Sequence, residues 1–128
     1  KSEISDYLKY SSHVSDSFGS MVHYAETHDN ARLAAKSKSW AKMRTQLSAL
    51  LSHNGSFGFT NGVEWYATEK IDVHSASALN WGSETNMIED IKALNHLLEN
   101  HPAFHEDSQL NELYASNDQV IAFQRKSD

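Results

Sequence analysis

Between Glu3 and His28 the apolar residues Ile4, Leu8, Val14, Phe18, Met21, Val22 and Ala25 recur at helical steps, with Ser11 and Ser15 filling gaps in the same stripe. The spacing predicts one helix about 40 Å long at about 1.5 Å per residue, with Ser2 as its cap and Asp6 near the positive end of the helix dipole. After the polar break His28-Asp29-Asn30, the positions Leu33, Ser37, Trp40, Arg44, Leu47 and Leu51 repeat in the same way. They predict a second amphipathic helix, capped by Asn30 and antiparallel to the first across a short turn.

The stretch from His53 to Gly62 carries Gly55, Gly58 and Gly62 and reads as a loop. A third helix is expected over 63–81, with Tyr66 or Ala67, Ile71, His74, Ala78 and Trp81 on its inner side. Thr85 is placed to cap a fourth, whose stripe is Ile88, Ile91, Leu94, Leu97 and Leu98 and which Pro102 stops near Asn100. Residues 103–125, with Phe104, Leu110, Leu113, Val120, Ile121 and Phe123, read as a last helix broken at Asn117, a short strand at 120–123 being the local competitor. No hairpin pair stands out, and the predicted fold class is all-α, an antiparallel bundle of four to five helices in a single domain over 1–128.

Composition fits that picture. A chain of 128 residues with 39% hydrophobic and 22% charged positions can bury a core, at this size roughly 65–70% of its unfolded surface. With no cysteine, disulfides, thiolate metal sites and cysteine nucleophiles are excluded. The net charge of −6 argues against a nucleic-acid partner, since phosphate backbones are held by clustered positive charge. No run approaches the roughly 18 apolar residues of a membrane-spanning helix. The start at Lys1 leads to the expectation that the chain is processed or excised from a longer protein whose membrane spans flank it.

Chemistry-bearing residues are sparse. Eight histidines stand out, two of them three residues ahead of a glutamate, His23 with Glu26 and His96 with Glu99. On helices each pair shares a face, and two such pairs offer a four-ligand metal set. The order is the reverse of the Glu-x-x-His motif of di-metal bundles, and solvated surface pairs are the plainer explanation. His101 and His105 form a looser pair, with Pro102 between them.

The run Arg32, Lys36, Lys38, Lys42 and Arg44 contains no acid, whereas 84–118 carries eight acids against the single base Lys92. The basic run reads either as a solvated face complementary to the acidic half or as an anion site. Arg32, Lys36, Trp40 and Arg44 are its candidate ligand-binding residues. Trp65, Tyr66 and Trp81 read as packing or as pocket lining. Phe57 and Phe59, apolar in a glycine-rich loop, are candidate partner-binding residues or a plug for the bundle end. No Gly-x-Ser-x-Gly elbow and no His-Glu-x-x-His motif occur, and neither catalytic residues nor a cofactor is expected.

Long polar-faced helices without cysteine or catalytic motifs resemble, over residues 3–100, the extracytoplasmic helical-bundle sensor domains of bacterial chemoreceptors and histidine kinases. No family motif matches, so no functional residue is carried over, and Pro102 and Asn117 depart from a simple four-helix version. The resemblance implies a non-enzymatic, periplasmic signal-input domain that binds a small anionic or amino-acid-like metabolite, or a partner protein. Serines along the first helix add the expectation of a homodimer. Charge reversal at Arg32 and Lys36 is then expected to abolish ligand-induced stabilisation and to leave helicity intact.

Overall fold

A computed structural model describes residues 2–52, 56–75, 78–105 and 108–127. The loop residues His53, Asn54 and Gly55 and the capping side chain expected of Ser2 lie outside the described set. The all-α expectation is overturned: among the described residues four α-helices are joined by two small sheets, one parallel and one antiparallel, in a mixed α/β fold.

Helix α1 (Ser2–Phe18) forms on the first stripe but ends at Phe18 and does not continue to His28. Gly19 follows at φ +130°, a conformation that L side chains rarely adopt, and the helix ends there. The apolar pair beyond it becomes strand β1 (Val22–His23), parallel to β2 (Ser56–Phe57) with Val22 opposite Ser56 and His23 opposite Phe57. The ladder extends through Ser56 N–H to the Met21 carbonyl at 2.8 Å and Gly58 N–H to the His23 carbonyl at 2.9 Å.

Between these strands run α2 (Leu33–Lys36) and α3 (Lys38–Leu51), the second stripe divided in two at Ser37. Ser37 is extended (φ −172°, ψ 156°), and its hydroxyl accepts the Trp40 N–H at 3.1 Å. A serine in the stripe thus acts as a cap, the role in which serine is most favourable.

Among the described residues the expected third helix is a single 3-10 turn, Val63–Trp65, and Ala76 and Ser77 of that expectation lie outside the described set. It stops at Tyr66 (φ 53°), and Leu79 (φ 46°) and Asn80 (φ 60°) are also left-handed. Local polar side chains compete for the backbone: Asp72 accepts the His74 N–H and the Ser75 hydroxyl, and the Asn80 amide donates to the Trp65 carbonyl at 2.7 Å.

Helix α4 (Ile88–Asn100) matches its expected stripe, with Ile91 and Leu94 buried. Its cap position is Met87 rather than Thr85, the Asn86 side chain accepting the Ile88 N–H at 3.1 Å. Pro102 opens a 3-10 turn, Pro102–Phe104.

The expected C-terminal helix is instead a hairpin. Strands β3 (Gln109–Leu113) and β4 (Ala122–Lys126) pair antiparallel from Gln109 opposite Lys126 to Leu113 opposite Ala122. Asn117, read as a helix break, lies in the connection, its carboxamide oxygen accepting the Gln119 N–H at 2.8 Å.

The core lies between α2, α3, the first 3-10 turn and α4, and consists of Ala34, Ala41, Val63, Tyr66, Met87 and Ile91, with Leu33 packed against them. The alanines let the helices approach closely. Arg125 of β4 ties the hairpin to the rest by donating to the carbonyls of Leu50, Ser52 and Ala103. Burial lowers its pKa from the usual arginine value. From α1, the Ser5 hydroxyl reaches Glu112 of β3. Among the described residues no helix is long and apolar enough to cross a membrane.

Candidate functional site

The helical spacing of α1 puts Glu3, Ile4, Tyr7 and Leu8 along one side, and that of α3 does the same for Arg44, Leu47, Ser48 and Leu51. These two rows, with His23, Tyr24 and Ala25 from β1 and the residues after it, enclose a cleft of about 310 Å³. That is near the lower end of the about 300–1,000 Å³ typical of small-molecule pockets. Its walls are mainly aliphatic and aromatic, and several remain partly open to solvent, Tyr7 at 52% and Tyr24 at 51% exposure.

The five basic residues of the run 32–44 have separate fates. Arg32 is fully buried and forms an ion pair with Glu26, Nε to Oε1 at 2.7 Å. Its terminal nitrogens both donate to the Asn61 carbonyl, at 3.0 and 3.1 Å. Glu26 Oε2 accepts the N–H of Leu33 at the start of α2 at 2.5 Å, while the Glu26 carbonyl accepts the Thr60 hydroxyl at 2.7 Å.

Lys42 pairs with Asp90 of α4 at 2.8 Å, and this hydrogen bond raises its pKa above the usual lysine value. Lys38 lies 5.7 Å from the Tyr66 ring centroid. Lys36 and Arg44 both associate with the Trp40 ring, at 3.6 Å and 5.6 Å from its centroid. Each such cation–π contact at an exposed site contributes about 0.5–1 kcal/mol.

Of the four residues expected to bind an anion, Lys36, Trp40 and Arg44 therefore come together, and Arg32 is held inside the fold. Arg44 also lines the cleft, where no carboxylate among the described residues forms an ion pair with it.

The metal set His23, Glu26, His96 and Glu99 is not assembled. His23 and Glu26 lie on and after β1, off any helix, and the Glu26 carboxylate is engaged by Arg32. His96 is an exposed residue of α4 in contact with the Asn100 amide. Among the described residues no group of three His, Cys, Asp or Glu side chains is placed to hold a metal ion.

Phe57 and Phe59 do meet, ring centroids 5.9 Å apart, with Phe59 38% exposed. Trp65 and Trp81 also pair, at 5.4 Å, with Trp81 largely exposed.

Glu3, Tyr7, Tyr24 and Leu47 were not singled out in the sequence as site residues. Tyr7 completes the Ile4–Leu8 edge at helical spacing, a signal that was present. Tyr24 reaches the cleft only because the chain leaves the helix at Gly19. Comparison with known protein families, with curated proteins and with solved structures finds no match to this chain.

Proposed function

We propose that this protein is a non-enzymatic small-ligand-binding module with a signal-input role, and that its ligand is a small carboxylate with an apolar body held between α1 and α3. One observation carries the reading: Arg44 lines a cleft whose walls are otherwise largely apolar, its guanidinium carbon 5.6 Å from the Trp40 ring centroid and without an ion-pair partner among the described residues. An arginine fork matches a carboxylate in shape and charge, and the walls supply apolar surface for the remainder of the ligand. The bundle on which the likeness to bacterial sensor domains was drawn is absent, so the proposal rests on the cleft. A ligand bridging the two helices would favour the arrangement in which both walls are in place, which is how binding is converted into a signal.

The test is a thermal-shift and calorimetric screen of the chain against aliphatic and aromatic monocarboxylates, with the matching primary amides as controls. The acids are expected to raise Tm with concentration as mass action requires. The amides should not, and Arg44→Gln should weaken binding of the acids by about tenfold or more, the loss of a charge-assisted hydrogen bond. A flat screen, or a shift that Arg44→Gln leaves unchanged, overturns the assignment.

A further inference from the structure

The cleft holds a second charge. Glu3, in the first turn of α1, lies on the same row as Tyr7, and both line the cavity that Arg44 lines. A first-turn acid is favoured by the helix dipole wherever it points, so its presence in α1 alone says nothing. Its position in the cleft does.

Glu3 and Arg44 do not neutralise each other: no ion pair within 4.0 Å joins them, and neither forms one with another described residue. A pocket with one cation, one anion and aliphatic or aromatic walls has a matching ligand chemistry. A simple carboxylate satisfies Arg44 and brings its negative charge towards Glu3; a simple amine does the converse. A ligand with both charges and an apolar body complements Arg44, Glu3 and the apolar walls together.

We infer that the ligand is an apolar α-amino acid, its carboxylate at Arg44, its ammonium at Glu3 and its side chain against Ile4, Leu8 and Leu47. This rests on the carboxylate-binding reading of the same cleft and adds the ammonium to it. The small cavity, about 310 Å³, suits a single amino acid better than a long peptide.

The experiment uses matched ligands on the intact chain: leucine, methionine and phenylalanine, their deaminated carboxylic acids, and their amides lacking the carboxylate. Calorimetry is expected to show each amino acid binding at least tenfold more tightly than its deaminated acid and its amide. In Glu3→Gln that advantage over the deaminated acid should disappear, while binding of the deaminated acid is unchanged or tighter. In Arg44→Gln the amino acid and the deaminated acid should both weaken.

If the deaminated acids bind as tightly as the amino acids, or Glu3→Gln leaves the preference intact, the zwitterion assignment fails while the carboxylate reading survives. If no ligand of the three sets binds, both fail. Far-UV circular dichroism of Glu3→Gln checks that α1 is retained, so that a change in preference is not confused with loss of the cleft wall.

Discussion

Replacing Arg32 by alanine tests how this fold is held together. Arg32 and Glu26 have side-chain exposures of 0% and 4%, and between them they connect the segment after β1, the start of α2 and the 60–62 turn. A buried pair adds little net stability compared with a well-packed apolar pair, because desolvating two charges offsets most of their attraction. Removing one partner is different. Arg32→Ala leaves the Glu26 carboxylate buried without its cation and deprives the Asn61 carbonyl of two donors.

The expected loss is about 3–5 kcal/mol, a large fraction of the roughly 5–15 kcal/mol that stabilises a typical domain. It should lower Tm by about 10–20 °C for a chain of this size. Urea unfolding followed by far-UV circular dichroism measures it directly. Glu26→Leu with Arg32→Met should recover more than half of the loss, since no unpaired charge remains; the Leu33 N–H still loses its acceptor, so recovery is incomplete. An Arg32→Ala change within about 0.5 kcal/mol of the parent, the ordinary range of surface substitutions, would refute the argument. So would a double variant as destabilised as the two single variants added together. The same reasoning reverses the expectation that charge reversal at Arg32 leaves helicity intact: Arg32→Glu places two carboxylates in a dry site, and Arg44 is the residue at which the proposed ligand binding can be tested apart from folding.

Two further outcomes follow from the core. Burial raises the Tyr66 phenol above its ordinary value of 10.0, an effect that neighbouring Lys42 opposes and Asp90 reinforces. The folded state therefore keeps this proton after the unfolded chain has lost it, and stability should fall as pH rises from about 10 through the folded-state value. Lys42, held protonated by Asp90, contributes a loss in the same direction, so Tyr66→Phe should reduce the alkaline decline in Tm without abolishing it; an unchanged alkaline limb would contradict the burial argument. Gly62→Ala should cost about 1–3 kcal/mol, because φ is +92° and a Cβ there would lie 3.0 Å from the Cβ atoms of Ala67 and Leu79 and 3.1 Å from an Arg32 nitrogen. Equilibrium denaturation checks this, and a neutral result would mean that the turn tolerates a left-handed alanine.

What the sequence revealed of the fold depends on the range of the deciding interaction. Helix α4 was legible because its stripe, its acidic first turn and its stopping proline all act within a few residues. The division at Ser37 is not legible in the pattern because serine at a stripe position can be either filler or cap, and only the backbone angle distinguishes them. Residues 109–126 contain apolar positions compatible with either period, and their choice of strand is made by partners nine to 17 residues away across a turn. Gly19 is a strong local signal against a single helix over 3–28. A glycine beyond the last well-packed turn is a stop, and reading it so would have removed Val22, His23 and Glu26 from the helix.

That single glycine also governs the site. With the helix ending at Phe18, Glu26 falls in the irregular segment after β1 and can turn towards Arg32 and the first N–H of α2, so one of two arginines in the same basic run becomes part of the interior. The other, Arg44, lies on α3 three residues before Leu47, on the side that faces α1. Arg32 has Asp29 and Glu26 just before it and Arg44 has no acid near it, but sequence proximity alone does not say which carboxylate pairs with Arg32 or that the pair is buried. Their difference is set by which carboxylate the chain brings to each. Glu26 reaches Arg32 within hydrogen-bond distance, and Glu3 shares the cleft with Arg44 without closing on it. A buried charge with its partner at 2.7 Å is a fastening of the fold; an arginine and a glutamate that line one small cavity and stay apart are the two charges on which the proposed binding rests. The binding hypothesis therefore follows from a tertiary relation between the first turn of α1 and the middle of α3, which helical periodicity places on facing rows but which no pattern within either helix can pair.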